Sequence, residues 1–305
     1  MKKAYRLTPS LHDNLWGGNR LREYGKTSEK DRIAESWELS FVEGEQARIE
    51  DGRTLSEAFG REAWGKRCEK FDFFPTLTKF IDAREKLSVQ VHPDDAYALA
   101  NEGQYGKTEM WYVVDADEGA GLYIGLNGEY TAEEFSSAVA DGTVEKMLER
   151  IPVRAGDVFF IPSRTVHAIL DGVLIYEIQQ NSTLTYRLYD YMRRDKNGNL
   201  RDLHIEKAMK VTDLAVYDRE GINVTADGVI GSCEYFESRL CKLNSSKTDI
   251  FVDDESFVAL TCVRGCGMVD GESFSAGDSF FIPAGAGELT LESDTEADVI
   301  IISIP

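Results

Sequence analysis

The chain has 305 residues, enough for two modules with buried cores and no need of a disulfide or metal staple to fold. Lys and Arg number 34 against 54 Asp and Glu, a formal net charge of −20, which excludes bulk attraction to nucleic acid or anionic lipid but allows a local cationic pocket for a small anion. Hydrophobic residues at 42% and charged residues at 29% are those of a folded globular chain, no apolar run reaches a membrane span, and Met1 to Trp16 holds no signal-like segment. The expected location is therefore the cytoplasm, with no membrane partner. Five cysteines (Cys68, Cys233, Cys241, Cys262 and Cys266) form no C-x-x-C pair and read as reduced, idle thiols.

In chain order, Thr54 to Phe59 reads as a helical turn or two. Ser88 to His92 alternates as a strand, with Leu87, Val89 and Val91 on one face and Ser88, Gln90 and His92 on the other. Pro93 opens a short helix. Lys107 and Glu109 share strand parity. Thr131, with Glu134 at the capping-box position, opens a helix expected to reach about Arg150. Ala155–Pro162 then returns as Ala276–Pro283, matching at seven of eight positions and differing at Val158 and Ser279. Each copy reads as a Gly-Asp turn, a short buried strand and a stop at Pro, so the pair predicts two related all-β modules. Val173 to Ile178, Phe257 to Val263 and Val299 to Ile302 read as further strands, Asp195 to Asn199 as a hairpin tip, and Leu203 to Val211 as a helix. The passage between modules is expected around Tyr217 to Gly221.

Four histidines are present: His12, His92, His167 and His204. His167 closes the pattern G-x5-P-x4-H that starts at Gly156. Gln90 and His92 on one strand face, Glu109 on another and His167 on a third offer imidazole, carboxylate and amide donors that suit Zn²⁺. From Glu177 to Asp190 the odd positions Glu177, Gln179, Thr183, Thr185 and Arg187 are polar, and the even positions Ile178, Leu184, Tyr186 and Leu188 are apolar. Arg187 on that polar face can hold a carboxylate structurally or an oxyanion of substrate. Counted from the repeated Gly-Asp, His167 corresponds to Glu288, so the second module cannot rebuild a histidine site. His12 and His204 read as ordinary structure or surface, and Trp16, Trp37 and Trp111 as core or pocket wall.

The G-x5-P-x4-H element resembles the second motif of the cupin β-barrel. Gln90-Val91-His92-Pro93, Lys107-Thr108-Glu109-Met110, the distal His167 and the Thr183–Asp190 segment together resemble type I mannose-6-phosphate isomerase in its short bacterial form. This resemblance runs from Trp16 through Ala34–Ser40 to about Val211 and continues weakly beyond. It implies a mostly β fold of two cupin, jelly-roll-like barrels with a few helices on the first. Residues 1–216 would be the catalytic barrel and residues 217–305 a degenerate barrel without a metal site. It implies one Zn²⁺ per chain held by Gln90, His92, Glu109 and His167, with Arg187 and Lys107 in the active site.

The implied reaction interconverts mannose 6-phosphate and fructose 6-phosphate, moving the C2 proton to C1 through an enediol while Arg187 stabilises developing negative charge. Glu177 and Lys107 are the candidate bases. Lys107 and Arg187 are also the candidate phosphate contacts. Two other readings compete: a non-catalytic sugar-binding or regulatory cupin, and an iron cupin dioxygenase. The second fits poorly with Gln90 where a histidine is usual.

Overall fold

The computed structural model describes residues 3–195, 197–217 and 227–305. The expected module passage beyond Tyr217 and Lys196 of the expected hairpin tip lie outside the described residues. Twelve strands come first: β1 (Tyr5–Arg6), β2 (Ser10–His12), β3 (Glu35–Leu39), β4 (Thr76–Ala83), β5 (Val89–Val91), β6 (Glu109–Ala116), β7 (Gly121–Leu126), β8 (Leu148–Pro152), β9 (Val158–Ile161), β10 (His167–Ile169), β11 (Val173–Gln180) and β12 (Tyr186–Tyr189). Six follow: β13 (Gly228–Cys233), β14 (Phe236–Val252), β15 (Val258–Val269), β16 (Glu272–Ser275), β17 (Ser279–Ile282) and β18 (Gly287–Ser303).

A six-stranded sheet in the order β2-β3-β4-β11-β6-β9 and a five-stranded sheet in the order β12-β5-β10-β7-β8 form the first barrel. Its interior is packed with Ile81, Trp111, Val113, Ile124, Phe159, Ile169 and Ile175. The third sheet, β1-β17-β15-β18-β14-β13 with β16 beside β15, encloses its own core of Val258, Leu260, Phe280, Leu291 and Val299. The fold is thus mostly β, with two barrels as expected. β1 crosses from the start of the chain to pair with β17 of the second barrel.

Four α-helices occur among the described residues: α1 (Leu55–Ala58), α2 (Asp95–Asn101), α3 (Ala132–Ala140) and α4 (Ile205–Val211). Phe135 and Val139 of α3 and Ala208 and Val211 of α4 cover Val89, Val91 and Ala168 on the outer face of the five-stranded sheet. Thr131 and Glu134 make the expected reciprocal cap. The helix stops at Ala140 rather than near Arg150, because Gly142 turns left-handed at φ 69 and Leu148–Pro152 pairs with β7. Pro93 sits two residues before the first helical residue, Asp95, and Asp94 is the cap of α2.

The repeated octapeptides occupy matching places. Gly156 and Gly277 are left-handed at φ 89 and 97, which only glycine adopts readily. Their N–H groups donate to Val113 O and Cys262 O, each at 2.8 Å. β9 then pairs with β6, and β17 pairs with β15.

Candidate metal centre and active site

Strand alternation builds the site as two facing rows. On the six-stranded sheet, Lys79, Glu177 and Trp111 lie opposite one another across β4, β11 and β6, with Gln179 opposite Glu109. On the five-stranded sheet, Gln90 lies opposite both Arg187 and His167. Along β11 the inward face changes character. Val173 and Ile175 belong to the apolar floor of the barrel, whereas Glu177 and Gln179 are polar. The outward face, Leu174, Tyr176 and Ile178, is buried against the second barrel. The polar and apolar faces expected from Glu177 to Arg187 therefore hold, but across two strands in two sheets.

His92, Glu109 and His167 come together, all buried, each with a donor atom within 4.8 Å of the others. His167 Nε2 lies 3.3 Å from Glu109 Oε1, and His92 Nε2 lies 3.6 Å from Glu109 Oε2. The far ring nitrogens face carbonyls: His92 Nδ1 is 2.7 Å from Leu184 O, and His167 Nδ1 is 2.9 Å from Thr165 O. Carbonyls only accept, so both Nδ1 atoms carry the proton and both Nε2 lone pairs point at Glu109. Burial lowers His167 to about 4, and burial together with the Lys107 and His167 charges takes His92 well below its usual value. Both rings are therefore neutral near pH 7, the form in which imidazole could hold a metal.

Glu109 is the counterpart. Neither of its buried oxygens has a hydrogen bond of good geometry, although Lys107 Nζ lies 2.5 Å from Oε2. Burial, reinforced by the Glu177 charge and opposed by Lys107, raises its carboxyl to about 8. A buried carboxyl whose ionised form is disfavoured without a further positive charge, facing two imidazole lone pairs, fits a cation that would displace its proton. Gln90 Nε2 stands 3.4 Å from His167 Nε2 at the edge of this group.

Gln90, Lys107, Glu177 and Arg187 line a cavity of about 140 Å³. His92, Glu109 and His167 are not in its wall but lie behind it, His167 against Gln90 and Glu109 against Lys107. Lys107 Nζ reaches Glu177 Oε1 at 3.4 Å, and Trp111 Nε1 donates to Glu177 Oε2 at 2.9 Å. Burial alone would raise Glu177, but Lys107, Lys79 and the Trp111 N–H outweigh it and hold the carboxyl below its usual value. Burial likewise pulls Lys107 down, but Glu109 and Glu177 outweigh it and keep it above the ordinary lysine value. Lys107 precedes β6 rather than lying on it, with its N–H donating to Pro93 O. Leu87 also precedes its strand; it lines the cavity instead of following Val89 and Val91 outward.

Sequence reasoning missed Lys79, Glu35, Asn14 and Arg201, which also line the cavity. Lys79 Nζ lies 3.6 Å from Glu35 Oε2 and 3.7 Å from Glu177 Oε1, and it sits 4.5 Å over the Trp37 ring. In the structure all eight residues of its strand are buried, so this lysine needs partners. His204 has a structural role, against the Arg187 backbone. Its Nδ1 accepts from Arg187 N at 3.2 Å, and its N–H donates to Arg187 O at 2.7 Å. Among the described residues no second group of this kind exists, and Glu288 is exposed. None of the described helices is long and apolar enough to cross a membrane.

Comparison with known proteins agrees with this geometry. Residues 4–119 match the family profile "Phosphomannose isomerase type I, catalytic domain", and residues 229–303 match "Mannose-6-phosphate isomerase, cupin domain". The chain is 37% identical to Mannose-6-phosphate isomerase ManA of Bacillus subtilis, over 95% of this chain and 96% of that one. It is 44% identical to Mannose-6-phosphate isomerase of Streptococcus mutans over 67% of this chain and 66% of that one. The crystal structure of the mannose 6-phosphate isomerase from Bacillus subtilis superposes with a TM-score of 0.87 at 31% identity, covering 100% of both chains. On this extent of identity and shared architecture, the chain belongs to the type I mannose-6-phosphate isomerase family.

Proposed function

We propose that this protein is a zinc-dependent isomerase interconverting mannose 6-phosphate and fructose 6-phosphate by proton transfer between C2 and C1 through an enediol. One observation supports the reading: a buried His-Glu-His group lies against Gln90 and Lys107, which line a cavity that also presents an arginine and an ionised glutamate. The neutral imidazoles of His92 and His167 and the carboxylate of Glu109 are borderline and hard donors that favour Zn²⁺, one per chain. Gln90 would join them through its amide oxygen. When bound, zinc supplies Lewis-acid polarisation of the sugar oxygens beside the reacting carbons.

The chain's own groups do the rest. Glu177, kept ionised by its lysines, is the better placed to accept the C2 proton and return it at C1. Lys107, kept charged, stabilises negative charge on the enediol oxygens rather than acting as the base. Arg187 adds a fixed cation on the opposite sheet. The apolar barrel floor under Trp111 and Ile175 keeps bulk water from the intermediate. Residues 1–216 form the catalytic module in this reading, and residues 217–305 a supporting one.

The test is a coupled assay on mannose 6-phosphate with chelator-treated protein and zinc add-back. Turnover that vanishes on chelation and returns with zinc supports the reading. Turnover untouched by complete metal removal, or zinc-loaded protein without turnover, rejects it.

A further inference from the structure

Asp95 ties together three segments of chain outside the cavity. It opens α2, three residues after His92. Its Oδ1 accepts from Gly106 N at 2.7 Å and from Gln180 Nε2 at 3.0 Å, and its Oδ2 accepts from the Tyr235 hydroxyl at 2.7 Å. Gly106 lies three residues before Glu109, and Gln180 ends β11. Gln180, itself buried, passes the tie onward. Its Oε1 accepts from Thr108 N at 2.7 Å, one residue from Glu109, and its own N–H donates to Thr108 O at 3.0 Å.

The two ligand-bearing segments rest directly on each other. A side chain at Gly106 would stand 2.5 Å from Asp94 C and 2.6 Å from Asp95 N, and Lys107 N–H donates to Pro93 O at 3.0 Å. His92 Nε2 and Glu109 Oε2, which lie 3.6 Å apart, therefore hang from segments whose spacing Asp95 bridges. Tyr235 comes from the second barrel, in the turn between β13 and β14. Its ring packs at 5.0 Å on Phe71 and 5.4 Å on Tyr105, and its carbonyl accepts from Thr76 Oγ1 at 2.6 Å. Thr76 lies opposite Gln180 across β4 and β11, so Tyr235 is anchored on the same strand ends that it braces.

We propose that Asp95 is a positioning residue for the metal centre and that Tyr235 holds it in place, so that the second barrel sets the spacing of the His92 and Glu109 donors. The inference rests on the metal group of the isomerase reading and deepens it. A carboxylate that accepts three hydrogen bonds is a stronger and more directional tie than the neutral backbone bonds beside it. Partners that orient metal ligands from behind typically account for about 10–100-fold in metal affinity. Simple adhesion between the barrels is a separate matter. Thr261 of the second barrel bonds Tyr176 at 2.7 Å, and neither residue belongs to the His92 or the Glu109 segment. Weakening that bond loosens the joint without touching the Asp95 tie.

The experiment compares the full-length wild type with Asp95→Ala, Asp95→Asn, Tyr235→Phe and, as a control at the joint, Thr261→Val. Zinc affinity is read by competition with a chromophoric chelator, ligand geometry by the visible absorption bands of the Co²⁺-substituted proteins, and stability by urea titration. Asp95→Ala is expected to lose about 10–100-fold in zinc affinity and to shift the cobalt bands. Tyr235→Phe, which removes one hydroxyl, is expected to lose about 3–10-fold. Asp95→Asn keeps an oxygen that accepts from Gly106 and Gln180 and recovers most of the Asp95→Ala loss. Thr261→Val loses stability but keeps wild-type zinc affinity and cobalt bands. Folded Asp95→Ala protein with wild-type affinity and bands overturns the assignment, as does a loss of zinc affinity in Thr261→Val equal to that in Tyr235→Phe. If Asp95→Ala does not fold, Tyr235→Phe decides by the same two readouts. Wild-type protein that binds neither metal rejects the metal centre of the isomerase reading, whereas wild-type binding with unaffected variants rejects this inference alone.

Discussion

Replacing Glu109 by Gln tests the metal centre most directly. The side chain is 0% exposed, and the substitution keeps its shape while removing the only carboxylate of the His-Glu-His group. Removing one partner of a buried charge pair typically costs about 3–5 kcal/mol, so zinc affinity is expected to fall by roughly 10²–10⁴-fold. The effect reads out in stability without any turnover. At a zinc concentration about 100 times the wild-type Kd, binding adds about 2.7 kcal/mol to the folded state, which at roughly 2–4 °C per kcal/mol raises Tm by about 5–11 °C. At that zinc concentration the Gln variant gains at most about 0.4 kcal/mol, or about 2 °C. The assay is a pair of melting curves with and without zinc, backed by elemental analysis after dialysis. A Glu109→Gln protein that keeps stoichiometric zinc and the full rise in Tm would show that Glu109 is not a ligand.

Other predictions separate chemistry from architecture. Arg187→Ala is expected to keep its zinc, measured by elemental analysis, while kcat/KM on mannose 6-phosphate falls by at least about 10²-fold, the range for a group aimed at developing charge. Burial alone would raise the Asp190 carboxyl, but the Arg201 and Arg193 hydrogen bonds outweigh it and hold it below the usual value. Its contribution is then complete above about pH 4 and disappears as pH falls through the lower folded value, so Asp190→Asn flattens the acid limb of a denaturation-midpoint profile. Lys26 Nζ, 7% exposed, pairs with the buried Glu38 Oε1 at 2.7 Å. Lys26→Met strands that carboxylate and is expected to destabilise by about 3–5 kcal/mol in urea titration, while Lys26→Met with Glu38→Leu recovers much of the loss.

The candidate ligands were legible because their spacing is local: Gln90 lies on β5 and His92 one residue past its end, and Glu109 and His167 each sit at the start of a strand. Arg187 and Glu177 were legible through a shared parity that survives the passage from β11 to β12. Lys79 and Glu35 escaped because their membership depends on rows across separate strands. Nothing local aligns position 79 with position 177 except sheet register. Arg201 and His204 escaped for a different reason. They lie in an irregular strap with no period to read, and their role comes from bonds to an edge strand. The overlong helix at Thr131 to Arg150 failed on a single glycine, where helical propensity lost to strand pairing with β7.

Register also explains how one barrel keeps a site that its sibling lacks. Ile161 pairs with Glu109 on β6, and the equivalent Ile282 pairs with Val258 on β15. The counterparts of Glu109, Trp111 and Val113 are therefore Val258, Leu260 and Cys262, all in the apolar core of the second barrel. The counterpart of His167 is the exposed Glu288, so two of the candidate ligands have no equivalent in the second barrel. The outward residues follow another rule. Met110 and Tyr112 match Ala259 and Thr261, and Phe160 matches Phe281, and all of these except Thr261 pack in or against the cluster between the barrels. Thr261 is buried there as well, bonded to Tyr176 of the first barrel at 2.7 Å. The two modules thus meet through equivalent faces. In the Phe-Phe-Ile-Pro repeat one Phe fills each barrel and the other fills the joint, whereas the inward position of Glu109 is polar in the first barrel and its counterpart Val258 is apolar in the second.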